Sequence, residues 1–234
     1  YGKLAAAAAK LPVPSRDQVR LKDPSQFRYI GKGRLGLVDA RHIVTGKAVY
    51  GQDVRLPGML YAVVARPDVY LGKVVSYDAA ETLKVPGVVK VVTIEPSAPP
   101  AHFNPLGGVA VVATNTWAAL KGRDALKIVW DDGPNASYDS ASYRATLEAA
   151  ARSPGKVARN DGDFDAAYAK AATKVQAEYY LPHLAHATME PPTATARIVK
   201  GRCELWSSVQ SPQAARTLVA KRLGLDPANV TVNV

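Results

Sequence analysis

Four side chains come nearest to a chemical site by type and spacing: His183, His186, Glu190 and Gln210. The two histidines are three positions apart and Glu190 lies four further on, a spacing that on a helix turns ligands toward one face. Pro182 and the pair Pro191-Pro192 bound this stretch, and prolines break the helix interior such a face requires. No third strong ligand accompanies them. The favoured reading is that His183, His186 and Glu190 hydrogen-bond a loop in place, with metal binding as the alternative. Gln210 ends the run Cys203–Val209 and precedes Ser211-Pro212. Serine can cap a helix there, and proline suits the first helical position, where its missing N–H costs nothing. Gln210 is therefore expected where a strand meets the positive end of a helix, a place suited to polar or anionic ligands. The plainer reading makes it a solvent-facing strand end.

Other candidates are weaker. Asp131-Asp132 stands before Gly133-Pro134 and reads as a solvated turn rather than a metal site. The Asp161–Asp165 string lacks the later oxygen ligands and the terminal glutamate of a calcium loop. Asp163 reads better as the cap of a helix over 164–172. Trp206 is expected in the core. The single cysteine, Cys203, excludes an internal disulfide and any all-cysteine metal site, so iron–sulfur ligation cannot come from this chain alone. No Ser/His/Asp triad, Cys/His pair, phosphate-cradling loop or dinucleotide fingerprint is present.

The elements that must position these residues are legible in outline. A strand is expected to lead in through Lys174–Tyr180, before the loop Pro182–Pro192. The β-like run Thr193–Val199 reverses at Lys200-Gly201, with glycine supplying positive φ, and returns as Cys203–Val209. In the helix that follows, Ala215, Leu218, Val219 and Leu223 fall on one face, and Gly224 closes it. Val230–Val234 is a further strand with valines on one face. Upstream, strands are expected at Met59–Ala65, Val88–Ile94, Val109–Ala113 and Leu126–Trp130. Helices are expected over Ser76–Leu83 and from an Asn115 cap to about Ala125. Another helix runs from Ser140 to Arg152, with Tyr143, Leu147 and Ala150 together. Alternating strands and helices with short loops define a small α/β or α+β unit. The alanine run Ala5–Ala9 favours a helix too short to stand alone. Residues 11–37 read as an extended connector.

At 234 residues the chain can hold one large or two small domains. Hydrophobic residues at 47% and charged residues at 21% are ordinary for a soluble globular protein. No apolar run approaches the ~20 residues that span a bilayer. No secretory signal is visible, and a start at Tyr1 leaves an upstream one undecided. Of the net charge of +10, residues 1–50 carry +7. That basic arm (Arg16, Arg20, Lys22, Arg28, Lys32, Arg34) lacks an aromatic stacking platform and any DNA- or RNA-binding motif. Nucleic acid is therefore not expected as a partner, and a solvated or subunit-facing arm is.

Three segments, in this order, resemble the large, molybdenum-binding subunit of the molybdenum hydroxylases. These are the xanthine dehydrogenase and aldehyde oxidase family, and the likeness is to the branch typified by the isoquinoline 1-oxidoreductase β-subunit. Thr45-Gly46-Lys47-Ala48-Val49-Tyr50-Gly51-Gln52-Asp53 is similar to the opening of the family's α/β hammerhead domain. His186–Pro191 is similar to its H-x-x-x-E-P segment. Trp206–Gln213 resembles the strand-to-helix segment whose glutamine lies beside the metal. The resemblance covers most of residues 41–234 and implies an α+β fold. Its expected parts are an N-terminal helix and basic connector (1–43), the hammerhead domain (44–132), a mostly helical connector (133–172) and the start of the molybdenum-cofactor-binding domain (173–234).

The resemblance also implies a function. It makes the chain part of an oxidoreductase that hydroxylates an aldehyde or N-heterocycle with water-derived oxygen. The cofactor would be molybdenum–molybdopterin in its cytosine dinucleotide form, held by pterin sulfurs rather than protein side chains. Gln210 would be the cofactor-contacting residue, with no catalytic residue in this segment. Implied partners are the remainder of the molybdenum-binding subunit, a [2Fe–2S] small subunit and a cytochrome c subunit. The family's glycine-rich pterin loop and general-base glutamate lie beyond Val234, so the segment by itself is expected to be inactive. A periplasmic or membrane-associated bacterial complex is implied, with the cytoplasm left open. The alternative function is a non-catalytic docking module that keeps a hammerhead-like fold.

Overall fold

The computed structural model describes residues 2–31, 35–102 and 104–234, so Lys32 and Arg34 of the basic arm lie outside the described residues. The alanine run forms helix α1 (Gly2–Ala8), yet none of its residues is buried, and the packing its length calls for is not seen. The described residues of the connector beyond it are almost all exposed and hold two short 3-10 turns, Arg16–Gln18 and Pro24–Gln26. A second short helix, α2 (Ala40–Val44), leads to a 3-10 turn at Gly51–Asp53.

The next unit is organised by its most apolar segment. Strand β1 (Tyr61–Ala65) is followed by β2 (Lys73–Asp78), β3 (Val88–Ile94) and β4 (Gly108–Ala113). β4 is apolar at nearly every position and is buried almost throughout. It forms the centre of an antiparallel sheet ordered β1-β4-β3, pairing Tyr61 with Ala113 on one side and Ile94 with Gly108 on the other. Helix α3 (Thr116–Ala125) covers that sheet with small residues, Ala118, Ala119 and Gly122. The two alanines pack with Ala113 against Val63 and Val88. The expected Asn115 cap is in place, its Oδ1 accepting the Ala118 N–H at 2.8 Å. Gly122 is required by proximity: a Cβ there would stand 2.8 Å from methyls of both Val88 and Val111. Strand β5 (Lys127–Asp131) pairs antiparallel with β2.

The expected helix over Ser76–Leu83 is not formed. Ser76, Tyr77 and Asp78 belong to β2, and only Thr82–Lys84 makes a 3-10 turn. Val74, Val75 and Tyr77 favour a pleated strand, and pairing with the distant β5 completes it. Asp78 accepts the Ala80 N–H at 2.9 Å, ending the strand in a side-chain turn instead of capping a helix.

Past Asp131, whose carboxylate accepts the Gly133 N–H in the expected turn, come α4 (Ser140–Ala151) and α5 (Phe164–Lys170). They are capped by Asp139 and Asp163, which accept from the Ser142 and Ala166 amides. The bonds from the Ser142 amide and hydroxyl hold the Asp139 carboxyl below the usual carboxylate range. The strand expected through Lys174–Tyr180 is absent: residues 173–193 make no sheet pairing, and Tyr179 is 90% exposed. The segment has no partner strand among the described residues, and without one its backbone stays with solvent.

The C-terminal unit is β6 (Ala194–Val199), β7 (Arg202–Ser207), α6 (Pro212–Leu223) and β8 (Val230–Asn233). β6 and β7 form a two-residue hairpin in which both Lys200 (φ +49°) and Gly201 (φ +72°) are left-handed. That geometry matches the strand twist. β8 pairs parallel with β7, so α6 is the crossover between them. Its core is Cys203, Ala220 and Val230, ringed by Val219, Leu225 and Val232. Burial pushes the Cys203 thiol pKa up. The helix face differs from expectation: Val219 and Ala220 point inward, while Leu218 and Leu223 are exposed. Among the described residues no helix is long and apolar enough to cross a membrane.

The accessible surface is 19672 Å², about twice the roughly 10,000 Å² of a compact monomer of this mass. The two cores are small, and large apolar side chains such as Leu181, Leu184 and Met189 stand in solvent.

Candidate functional site

Gln210 stands three residues past the end of β7, exposed, immediately before the first turn of α6. Ser207 and Val209 shape the approach: the Val209 N–H donates to the Ser207 carbonyl at 2.9 Å, and the Ser207 hydroxyl donates to the Thr193 carbonyl at 3.1 Å. Pro212 holds the first helical position as expected, and Gly224 (φ +64°) closes the helix. Ser211 departs from expectation, for its side chain makes no cap bond. The first-turn amides of α6 are thus left open beside Gln210. A neutral amide donor next to open helix amides fits an anionic group bearing oxygen or sulfur.

His183, His186 and Glu190 do not converge. His183 Nδ1 shares a 3.1 Å hydrogen bond with the Tyr138 hydroxyl, and its ring packs against Tyr138 and Tyr143. It thus fastens the loop to the chain around α4. The same strap continues through Tyr180, under the Arg144 guanidinium at 4.7 Å, and Glu178, bound bidentately by Arg152 at 2.9 and 3.2 Å. Hydrogen bonding to Arg152, then its charge, holds the Glu178 carboxyl below its ordinary range. His186 is exposed. Glu190 accepts the Gly51 backbone N–H at 2.9 Å, across 139 positions. Among the described residues no group of three His, Cys, Asp or Glu is arranged to hold a metal ion.

Trp206 is half-buried instead of lying in the core, with the Arg197 guanidinium 5.8 Å from its ring centre. Sequence reasoning missed Gly51, Thr193 and Ser207 as parts of this site. The Y-G-Q-D turn was visible as a motif, but nothing local pointed from it to residue 190.

The α+β unit followed by a β-β-α-β unit matches the large-subunit fold of solved molybdenum hydroxylases. Residues 149–234 match the molybdopterin cofactor-binding domain. The chain is 27% identical to a nicotinate dehydrogenase chain of Pseudomonas putida, over 92% of this chain and 18% of that one. It is 31% identical to a membrane-bound aldehyde dehydrogenase [pyrroloquinoline-quinone] of Gluconacetobacter polyoxogenes, over 90% of this chain and 27% of the relative. The β-subunit of isoquinoline 1-oxidoreductase from Brevundimonas diminuta is 28% identical, over 98% and 29%. The solved quinoline 2-oxidoreductase of Pseudomonas putida 86 shares the fold, with a TM-score of 0.57 at 20% identity over 84% of this chain and 29% of that one. Together these likenesses support a portion of a molybdenum hydroxylase large subunit, and the chain spans less than a third of the length of each of these relatives.

Proposed function

We propose that the chain is part of the catalytic subunit of a molybdenum-dependent hydroxylase that oxidises an aldehyde or an N-heterocycle with oxygen from water. The observation that carries this reading is the position of Gln210. Its amide is exposed at the corner between β7 and α6, beside uncapped helix amides, within the segment matched to the molybdopterin-binding domain. The molybdenum–molybdopterin cofactor, in its cytosine dinucleotide form, would supply the two-electron oxidation when held beside Gln210. The chain's own contribution is a neutral donor that a metal ligand cannot displace and that does not titrate near neutral pH. Residues 44–132 act as the hammerhead domain, 1–43 as a basic arm, 133–172 as a connector, and 173–234 begin the cofactor-binding domain. Its companions in that assembly would be a [2Fe–2S] subunit and a cytochrome c subunit. The exposed apolar side chains suit docking against the rest of such an assembly.

The test uses the complete subunit with its companions, carrying Gln210→Ala or Gln210→Glu. Bound molybdenum and turnover per molybdenum are measured. Gln210→Ala loads cofactor and turns over something like ~10²-fold more slowly, as when one positioned donor is removed. Gln210→Glu sets a negative charge beside an anionic centre and impairs loading or turnover. Wild-type rates per metal in both variants return Gln210 to an ordinary strand end. Assembled protein without molybdenum favours the docking module instead.

A further inference from the structure

We propose that Glu190 is a positioning residue that locks the Tyr50–Asp53 turn onto the strand end carrying Gln210; its effect on turnover rests on the reading of Gln210 above. Every residue from 171 to 189 is exposed, and Glu190 is the first to be partly covered. The covered residue is a carboxylate, while Leu181, Leu184 and Met189 stay in solvent. That inverts the usual order of burial and calls for a specific partner.

The partner is built to receive it. The Gly51–Asp53 turn is braced from within, since Asp53 Oδ2 accepts the Tyr50 N–H at 2.9 Å and the Asp53 N–H donates to the Tyr50 carbonyl. The Gly51 N–H is left to point outward, and Glu190 Oε1 takes it at 2.9 Å. Approach this close needs glycine: a Cβ at position 51 would collide with Thr193 Oγ1 and lie 3.4 Å from Glu190 Oε1. No basic side chain pairs with Glu190 among the described residues. The link is therefore a hydrogen bond to the backbone, not an ion pair.

From Glu190 the path to Gln210 is short. The Thr188 hydroxyl donates to the Glu190 carbonyl at 2.8 Å, which orders the residues before the prolines. Three positions on, the Thr193 carbonyl takes the Ser207 hydroxyl, and Ala194 pairs with Ser207 at the end of the β6–β7 ladder. Ser207 in turn accepts from Val209. Thus the Glu190 carboxylate ties the turn at residues 50–53 to the segment whose Thr193 carbonyl holds the corner at residues 207–211.

The experiment uses the complete subunit with its companion chains, carrying Glu190→Ala, Glu190→Gln, Glu190→Asp or Gly51→Ala. Amide hydrogen exchange at Gly51 and at residues 207–211 is read alongside molybdenum content, kcat and KM. Glu190→Ala speeds exchange at both places by roughly tenfold, leaves β4 protected, and lowers kcat per molybdenum more than it changes KM. Glu190→Gln keeps an acceptor at the same reach and restores most of the protection. Glu190→Asp keeps the charge but withdraws the oxygen by one methylene and behaves like alanine. Gly51→Ala also speeds exchange at both places, because its Cβ displaces Thr193 as well as crowding the Glu190 carboxylate. Unchanged exchange at residues 207–211 in Glu190→Ala overturns the proposal, as does a set in which aspartate substitutes and glutamine does not. Loosened exchange with wild-type kcat per molybdenum sustains the lock and overturns the role given to Gln210.

Discussion

Thr82→Val tests the core that supports the β1-β4-β3 sheet. Thr82 is fully buried, and its hydroxyl donates to the Gly122 carbonyl at 3.0 Å. Gly122 lies in the last turn of α3, where carbonyls have no helical amide ahead of them; the Leu126 N–H is already taken by Arg123. Thr82 therefore supplies a donor that the helix itself cannot. Valine keeps the shape and deletes the donor, leaving a buried carbonyl unsatisfied at a cost of about 1–3 kcal/mol. Burial of the extra methyl returns up to about 0.8 kcal/mol. The net destabilisation is on the order of 1–2 kcal/mol. Gly122→Ala attacks the same junction from the other side. Its new methyl would meet two valine methyls at 2.8 Å, and β-branched valines have few rotamers with which to yield. Overpacking of about 1–3 kcal/mol exceeds the ~1 kcal/mol gained in helix propensity. Because the two residues touch, their effects are not additive. Native-state hydrogen exchange of the β4 and α3 amides reads both variants, since about 1.4 kcal/mol is tenfold in opening. Exchange within about twofold of wild type in Thr82→Val would refute the reasoning.

Two further outcomes are expected. Asn115→Ala removes the side-chain acceptor of the Ala118 amide and costs about 1 kcal/mol of α3 stability, seen as fraying of its first turn; an unchanged first turn would show that water replaces the cap in full. The Glu178–Arg152 link is pH-dependent. The folded state depresses the Glu178 pKa, chiefly through the Arg152 hydrogen bond, so its contribution is present above the unfolded pKa and lost as pH falls through the folded one. Residues 173–182 should loosen from α4 as pH falls below the ordinary glutamate range, read by limited proteolysis with an acid-active protease. Asp139, also held low, frays α4 in the same range, so Glu178→Gln is the control. A pH dependence identical in that variant would remove Glu178 as the cause.

The sequence by itself determined what is decided within a few residues. The Asn115 and Asp163 caps, the Lys200-Gly201 hairpin, Pro212 at the start of α6 and Gly224 at its end all stand where their side-chain or backbone chemistry demands. The β4 strand was legible because an unbroken apolar run suits burial on both faces. The order of three short motifs sufficed to point to the family. Tertiary structure decided the rest. Ser76–Asp78 became strand because β5 supplied hydrogen bonds that no local signal announces. Residues 174–180 stayed out of the sheets for want of a partner strand among the described residues. Leu218 and Leu223 turned outward because the sheet core meets α6 along Val219 and Ala220. The contact between Gly51 and Glu190 spans 139 positions, and a hydrogen bond at that separation depends on how the intervening chain folds, which no spacing along it records.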